Sequence, residues 1–148
     1  MLIFLDIDGV LRRVGAPLDV IDEDCLERFE QVIRDHPDAQ IVISSSWRLM
    51  FTVDDIRALF APDIGQRIVG QTPWLEGRRG VRRFDEVLAY LAGVPKPMDW
   101  VAIDDDLTAY PEGAVGDYLI LTDAKSGFDS EAAMRLHQAI EVHDEPNR

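Results

Sequence analysis

A run of five apolar residues, Met1 to Leu5, ends abruptly in Asp6-Ile7-Asp8-Gly9. An apolar run this short, closed by turn chemistry, predicts a strand covered on both faces, as in a parallel sheet. Side chains at i and i+2 of a strand share a side, so Asp6 and Asp8 stand together just past the strand's carboxyl end. Gly9 gives the backbone freedom to turn away at once. Two neighbouring carboxylates repel and are driven to protonate unless positive charge sits near them. A divalent cation answers that need. Oxygen-only ligands suit Mg²⁺, which takes few protein groups and leaves its other positions to water and substrate phosphate. The spacing does not fit an EF-hand loop, which needs its Gly at position 6 and its Glu at position 12. A solvated Asp-rich turn is the bland alternative, and the rest of the chain decides between them.

Strand-like and helix-like segments alternate along the chain. Helical spacing over Asp22–Arg34 precedes a second apolar strand, Gln40–Ile43, which runs into Ser44-Ser45-Ser46-Trp47-Arg48. Thr52 and Asp55 have the form of a capping box before a short helix stopped by Pro62. A third strand is expected over Gln66–Gly70, a loop over Gln71–Gly80, and a helix over Val81–Leu91 with Gly93 as its stop. Trp100–Ile103 reads as a fourth strand, ending in Asp104-Asp105-Asp106. Tyr118–Leu121 reads as a fifth, and a last helix spans Ser130–Val142 before a polar, fraying tail over residues 144–148. This alternation predicts an α/β fold, a Rossmann-like three-layer sandwich with a mainly parallel sheet. In such sheets the active site gathers at the carboxyl ends of the strands. A lone strand-end Asp or Ser is ordinarily a helix cap. Polar clusters at three strand ends are harder to explain that way.

Composition narrows the field. With 148 residues, 47% of them hydrophobic, a single domain over 1–148 with a proper core is expected. No apolar stretch reaches the length of a membrane span, and the first apolar run is too short and lacks the basic flank of a signal peptide. The lone Cys25 excludes an internal disulfide and fits a reducing, cytoplasmic setting. The formal net charge of −13 argues against general binding to nucleic acid or to an acidic membrane. It leaves room for a small phosphorylated ligand held by local cations.

Four segments in order, LDIDGV, IVISSSWR, a basic residue opening a helix, and VAIDDD, resemble the haloacid dehalogenase (HAD) superfamily of Mg²⁺-dependent phosphatases. The likeness spans nearly the whole chain. DIDGVL together with SSSWR is similar to small domains attached to bacterial RNA-repair proteins. The resemblance implies that Asp6 is a nucleophile forming an aspartyl-phosphate. Asp8 would then be general acid and later base, a role needing a raised pKa, with its backbone carbonyl on the metal. It implies a serine hydroxyl on a phosphate oxygen, Ser45 or Ser44, with Ser45 narrowly preferred and Ser46 left to cap the next turn. It implies a cation at a helix start that neutralises nucleophile and phosphate. Lys96 stands too close to Asp104 for a helix to intervene. Arg79 and Arg83 remain, and Arg79 is preferred. Arg48, Arg79 and Arg83 are expected substrate contacts. Asp105 would be a direct Mg²⁺ ligand, Asp104 an indirect one, and Asp106 a cap.

Too few residues separate the four segments to hold an inserted cap domain. An open site results, suited to large phosphorylated substrates or to covering by a second copy in a homo-oligomer. The alternative function is a non-catalytic or regulatory HAD-like domain that binds a phosphorylated ligand or partner protein. Trp47 and Trp74 are candidates for the rim of the site, with plain packing the more ordinary role for either. Seven of the 15 basic residues, Arg12, Arg13, Arg48, Arg78, Arg79, Arg82 and Arg83, lie beside the four segments. They are expected to form a positive rim on an otherwise negative body.

Overall fold

The computed structural model describes residues 1–75 and 82–144. Five parallel strands form one sheet in the order β3-β2-β1-β4-β5: β1 is Leu2–Leu5, β2 Gln40–Ile43, β3 Ile68–Gln71, β4 Trp100–Asp104 and β5 Leu119–Leu121. The third strand lies slightly later than its apolar pattern predicts. The helices are α1 (Glu23–Asp35), α2 (Val53–Arg57), α3 (Pro62–Gly65), α4 (Arg83–Ala92) and α5 (Ser130–Asp144). Thr52 and Asp55 do form the capping box that starts α2. Pro62 was expected to stop a helix and instead opens α3, since a proline in the first turn forfeits no helical hydrogen bond.

Two apolar layers sandwich the sheet. Ile3, Leu5, Ile41, Ile43 and Ile103 face α1 and α5, packing on Phe29, Ile33, Leu136 and Phe128. Leu2, Phe4, Val42 and Ala102 face the other way, onto Val87 of α4 and onto Tyr110 and Ala114. Burial on both sides explains why the strands read as unbroken apolar runs instead of alternating with polar residues. Among the described residues, no inserted domain interrupts the core.

The alternation of faces also places the chemistry. Leu5 is in register with Ile43 on one side and Ile103 on the other. The next residues, Asp6, Ser44 and Asp104, therefore lie level at the carboxyl ends of three adjacent strands. By parity they fall on the side of Phe4, Val42 and Ala102, which is the side of α4. Strand order reverses direction between β1 and β4, and a crevice opens at such a switch point.

Candidate active site

Arg83, the first residue of α4, joins the three strand ends. Its Nη1 lies 2.9 Å from Asp6 Oδ1 and 3.4 Å from Asp104 Oδ2, and it donates to the Ser44 carbonyl at 2.7 Å. Burial works against the charged guanidinium, but Asp6 and Asp104 outweigh it and hold its pKa above the ordinary value. The helix start is itself tied down, because Asp85 accepts from the Arg82 amide at 2.7 Å.

Asp6 and Asp104 are buried, whereas Asp105 is partly open. Burial raises the Asp6 pKa well above the usual carboxylate range and the Asp104 charge raises it further. Arg83 and the Ile7 amide, which donates to Asp6 Oδ1 at 2.8 Å, pull the other way. Burial likewise lifts Asp104 to about 6, against the pull of Arg83 and of the Asp106 amide. Nearby, the Tyr110 phenol is pushed far up by burial and by the Asp104 charge.

Asp8 projects further out, its side chain 47% exposed, and two donors orient it. Arg12 Nη1 reaches Oδ1 at 3.2 Å and Trp47 Nε1 reaches Oδ2 at 3.2 Å. Arg12 also donates to the carbonyls of Ala16 and Pro17, which folds the segment after β1 into a compact loop beside the cleft. Gly9 turns that segment with φ +80°. A Cβ there would stand 2.2 Å from Asp105 Cγ, so only glycine lets β1 and the Asp105 side chain approach so closely.

The three serines divide their duties differently from expectation. Ser45, not Ser46, caps the following 3₁₀ turn (Ser46–Leu49), its Oγ accepting from the Trp47 amide at 3.3 Å. Ser46 is exposed and lines the cleft. Ser44 Oγ is buried beside the Tyr110 phenol and makes no hydrogen bond of good geometry. Asp106 caps the 3₁₀ turn Leu107–Ala109 as expected, accepting from the Thr108 amide at 2.9 Å.

Among the described residues, three of the arginines expected at the rim reach the cleft and two do not. Arg12, Arg82 and Arg83 line the cleft, which holds about 980 Å³. Arg13 turns away to Asp24 and the Ser126 carbonyl. Arg48, expected to touch substrate, is buried instead: Nη2 pairs with Glu86 at 2.7 Å and Nη1 donates to the Ser45 carbonyl at 2.7 Å. Arg78 and Arg79 lie outside the described residues. Glu86 also accepts from the Leu75 amide at 3.2 Å, so one buried ion pair braces both the serine turn and the segment carrying Trp74. Trp47 is buried and packs on Phe51, while Trp74 is half-exposed on the cleft wall with Arg48 5.7 Å from its ring centre. The sequence reading missed Glu86 and the Trp47–Asp8 bond. Glu86 follows Arg83 by three residues and so shares its helix face, a signal that was available.

A model of the HAD domain in Swiss Army Knife RNA repair proteins matches residues 2–133. The chain belongs to this HAD family. No curated protein and no solved structure matches the chain. The HAD superfamily generally uses Mg²⁺, and the chemistry of the residues at the strand ends bears on whether they fit that ion. Carboxylate oxygens of Asp6, Asp104 and Asp105 all lie within 4.8 Å of one another. They are hard oxygen donors, burial disfavours the charged forms of Asp6 and Asp104 until a cation is near, and Gly9 clears the space beside Asp105. That donor set fits a divalent cation of the Mg²⁺ class. No described helix is long and apolar enough to cross a membrane.

Proposed function

We propose that this HAD domain is a phosphomonoester hydrolase working through Asp6, with Mg²⁺ as its cofactor and a reducing, cytoplasmic setting. The observation that carries the reading is Arg83, placed by α4 between the Asp6 carboxylate and the end of β4. A carboxylate approaching a phosphate dianion must overcome repulsion between like charges, and a fixed guanidinium lowers that barrier. Asp105 and Asp6, with the Asp8 carbonyl, would hold the cation. Asp104, whose oxygens already face the Asp106 amide and Arg83, would support it from behind. Bound there, Mg²⁺ supplies charge neutralisation and polarises the phosphoryl oxygens.

The chain's own groups then divide the reaction. An Asp6 oxygen attacks phosphorus, and the bond from phosphorus to the ester oxygen breaks. Asp8 delivers a proton to that leaving oxygen, taking it up first at the Oδ1 that Arg12 holds, while Trp47 keeps Oδ2 in place. Water attacks the aspartyl-phosphate, Asp8 takes the water's proton, and the bond between phosphorus and Asp6 breaks to release phosphate. Arg83 stays on the charge throughout. For the hydroxyl that donates to a phosphate oxygen we take Ser44, level with Asp6 and without a hydrogen bond of good geometry, over Ser45, whose oxygen is engaged in the cap. The decisive assay is hydrolysis of p-nitrophenyl phosphate with Mg²⁺ and with chelator. Turnover that needs Mg²⁺ supports the reading. Binding of phosphorylated ligands without any turnover would instead favour the regulatory alternative.

The substrate reading with most support is a phosphorylated RNA end. The family takes its description from RNA repair proteins. The cleft is open, and half-exposed Trp74 offers a ring on which a terminal base can stack. The net charge of −13 confines recognition to the end of a strand, since a long polyanion is repelled by the rest of the surface. Comparing kcat/KM for oligonucleotides with a terminal phosphate against p-nitrophenyl phosphate tests this. Preference for the oligonucleotide, reduced by Trp74→Ala, is the expected result.

A further inference from the structure

A second group of metal-ligating side chains lies far from the catalytic carboxylates in the fold. His36 follows the carboxyl end of α1 and precedes β2, so it sits at the amino ends of the strands. Asp6 and Asp104 occupy the opposite ends. His137 and Glu141 are four residues apart on α5 and therefore share one face of that helix. One ligand atom from each of His36, His137 and Glu141 lies within 4.8 Å of the others.

We propose that His36, His137 and Glu141 form a binding site for a borderline-soft divalent cation of the Zn²⁺ class, which clasps the end of α1 to α5. His36 Nε2 and His137 Nδ1 face each other at 2.9 Å. Two imidazole nitrogens bound to one Zn²⁺ at about 2.0–2.1 Å in a tetrahedral shell stand about 3.4 Å apart. Turning the two rings so that their lone pairs converge, with the nitrogens parting by about 0.5 Å, admits the ion. Glu141, exposed on the same face of α5 and with an oxygen within 4.8 Å of both nitrogens, completes a third bond and leaves one position to water. The ring nitrogen of His137 that does not face His36 points toward Asp35, Nε2 to Oδ2 being 3.9 Å. Gln31 Nε2 in turn holds Asp35 at 3.1 Å. A carboxylate behind the ligating imidazole is the usual support of a metal-bound histidine, because it fixes the tautomer and strengthens the donor. The backbone carrying His36 is also fixed, with Arg67 donating to the carbonyls of Ile33, His36 and Ala39. Two imidazoles and one carboxylate select Zn²⁺, Co²⁺ or Ni²⁺ over Mg²⁺, so the two sites differ in the ions they take. Without a metal, the same two rings make a simple hydrogen bond, and the experiment must separate these states.

The test is titration of Zn²⁺ into the full chain with Mg²⁺ in excess, followed by calorimetry and by the melting temperature. One Zn²⁺ per chain is expected, with a rise in melting temperature that grows with free Zn²⁺. His137→Gln should abolish both effects while Mg²⁺-dependent hydrolysis stays unchanged. Asp35→Asn, an exposed change that leaves the ligands in place, should weaken Zn²⁺ by on the order of 10–100-fold. Co²⁺ bound to wild type should give a visible absorption band that His137→Gln lacks. If His137→Gln does not fold, Asp35→Asn and the Co²⁺ spectrum of wild type carry the test. Failure of wild type to bind Zn²⁺, or binding unchanged in the variants, leaves only a hydrogen-bonded histidine pair and overturns the proposal.

Discussion

Trp47 Nε1 donates to Asp8 Oδ2 across 3.2 Å, so a ring buried in the core orients the more exposed of the two strand-end carboxylates. Trp47→Phe keeps the aromatic packing on Phe51 and removes the donor. It is expected to lower kcat by on the order of tenfold with little change in KM, a fraction of the 10²–10⁴ that a placed proton donor supplies. Steady-state kinetics alongside melting temperature checks this. Loss of stability without loss of kcat would make Trp47 a packing residue alone.

Arg83 provides the next prediction. Arg83→Ala leaves Asp6 and Asp104 buried without their cation and should cost about 10²–10³ in kcat. Arg83→Lys should recover part of it, since a point charge restores neutralisation but not the reach to all three strand ends. Arg79→Ala is the control, measured in the same assay. A large loss for Arg79→Ala with a small one for Arg83→Ala would transfer the role to Arg79.

The buried pair of Arg48 and Glu86 braces the walls of the cleft. Glu86→Gln strands a buried guanidinium and should destabilise by about 3 kcal/mol, at the low end for a pair that loses one partner. In a chain of this size that is a fall in melting temperature of roughly 10 °C. Urea denaturation measures the loss directly. A neutral result would mean that solvent reaches Arg48.

The sheet was legible in the sequence because every strand but one is a short apolar run, and both its faces are covered. The strand-end carboxylates were legible for the same reason, as polar residues that interrupt those runs at one level. What escaped was tertiary. Arg48 looks like a site residue by its position after the serines, yet Glu86, distant in sequence, draws it into the interior. Ser44 and Ser45 cannot be told apart by composition, and only the register of β1 against β2 sets Ser44 level with Asp6. Pro62 reads as a stop or a start with equal ease until the packing of α3 is known.

Burial raises the Asp104 pKa to about 6 in the metal-free protein. A carboxyl that holds its proton more tightly in the folded state stabilises the fold below its unfolded pKa of about 4. That contribution is lost as pH rises through 6. Melting curves in chelator should therefore show wild type losing stability relative to Asp104→Asn between pH values of about 4 and 6. Excess Mg²⁺ should offset the loss at the upper end. Parallel curves for the two proteins would mean that Asp104 ionises without penalty.

The central claim is that Asp6 carries the phosphoryl group during turnover. Acid-quenching the enzyme in the steady state with substrate and Mg²⁺, followed by intact-mass and peptide mass spectrometry, tests it most directly. The expected result is a fraction of wild-type chains heavier by one phosphoryl group, located on the Asp6 peptide, with neither adduct nor turnover in Asp6→Asn. Hydrolysis by Asp6→Asn at a rate near that of wild type would contradict a covalent route through Asp6.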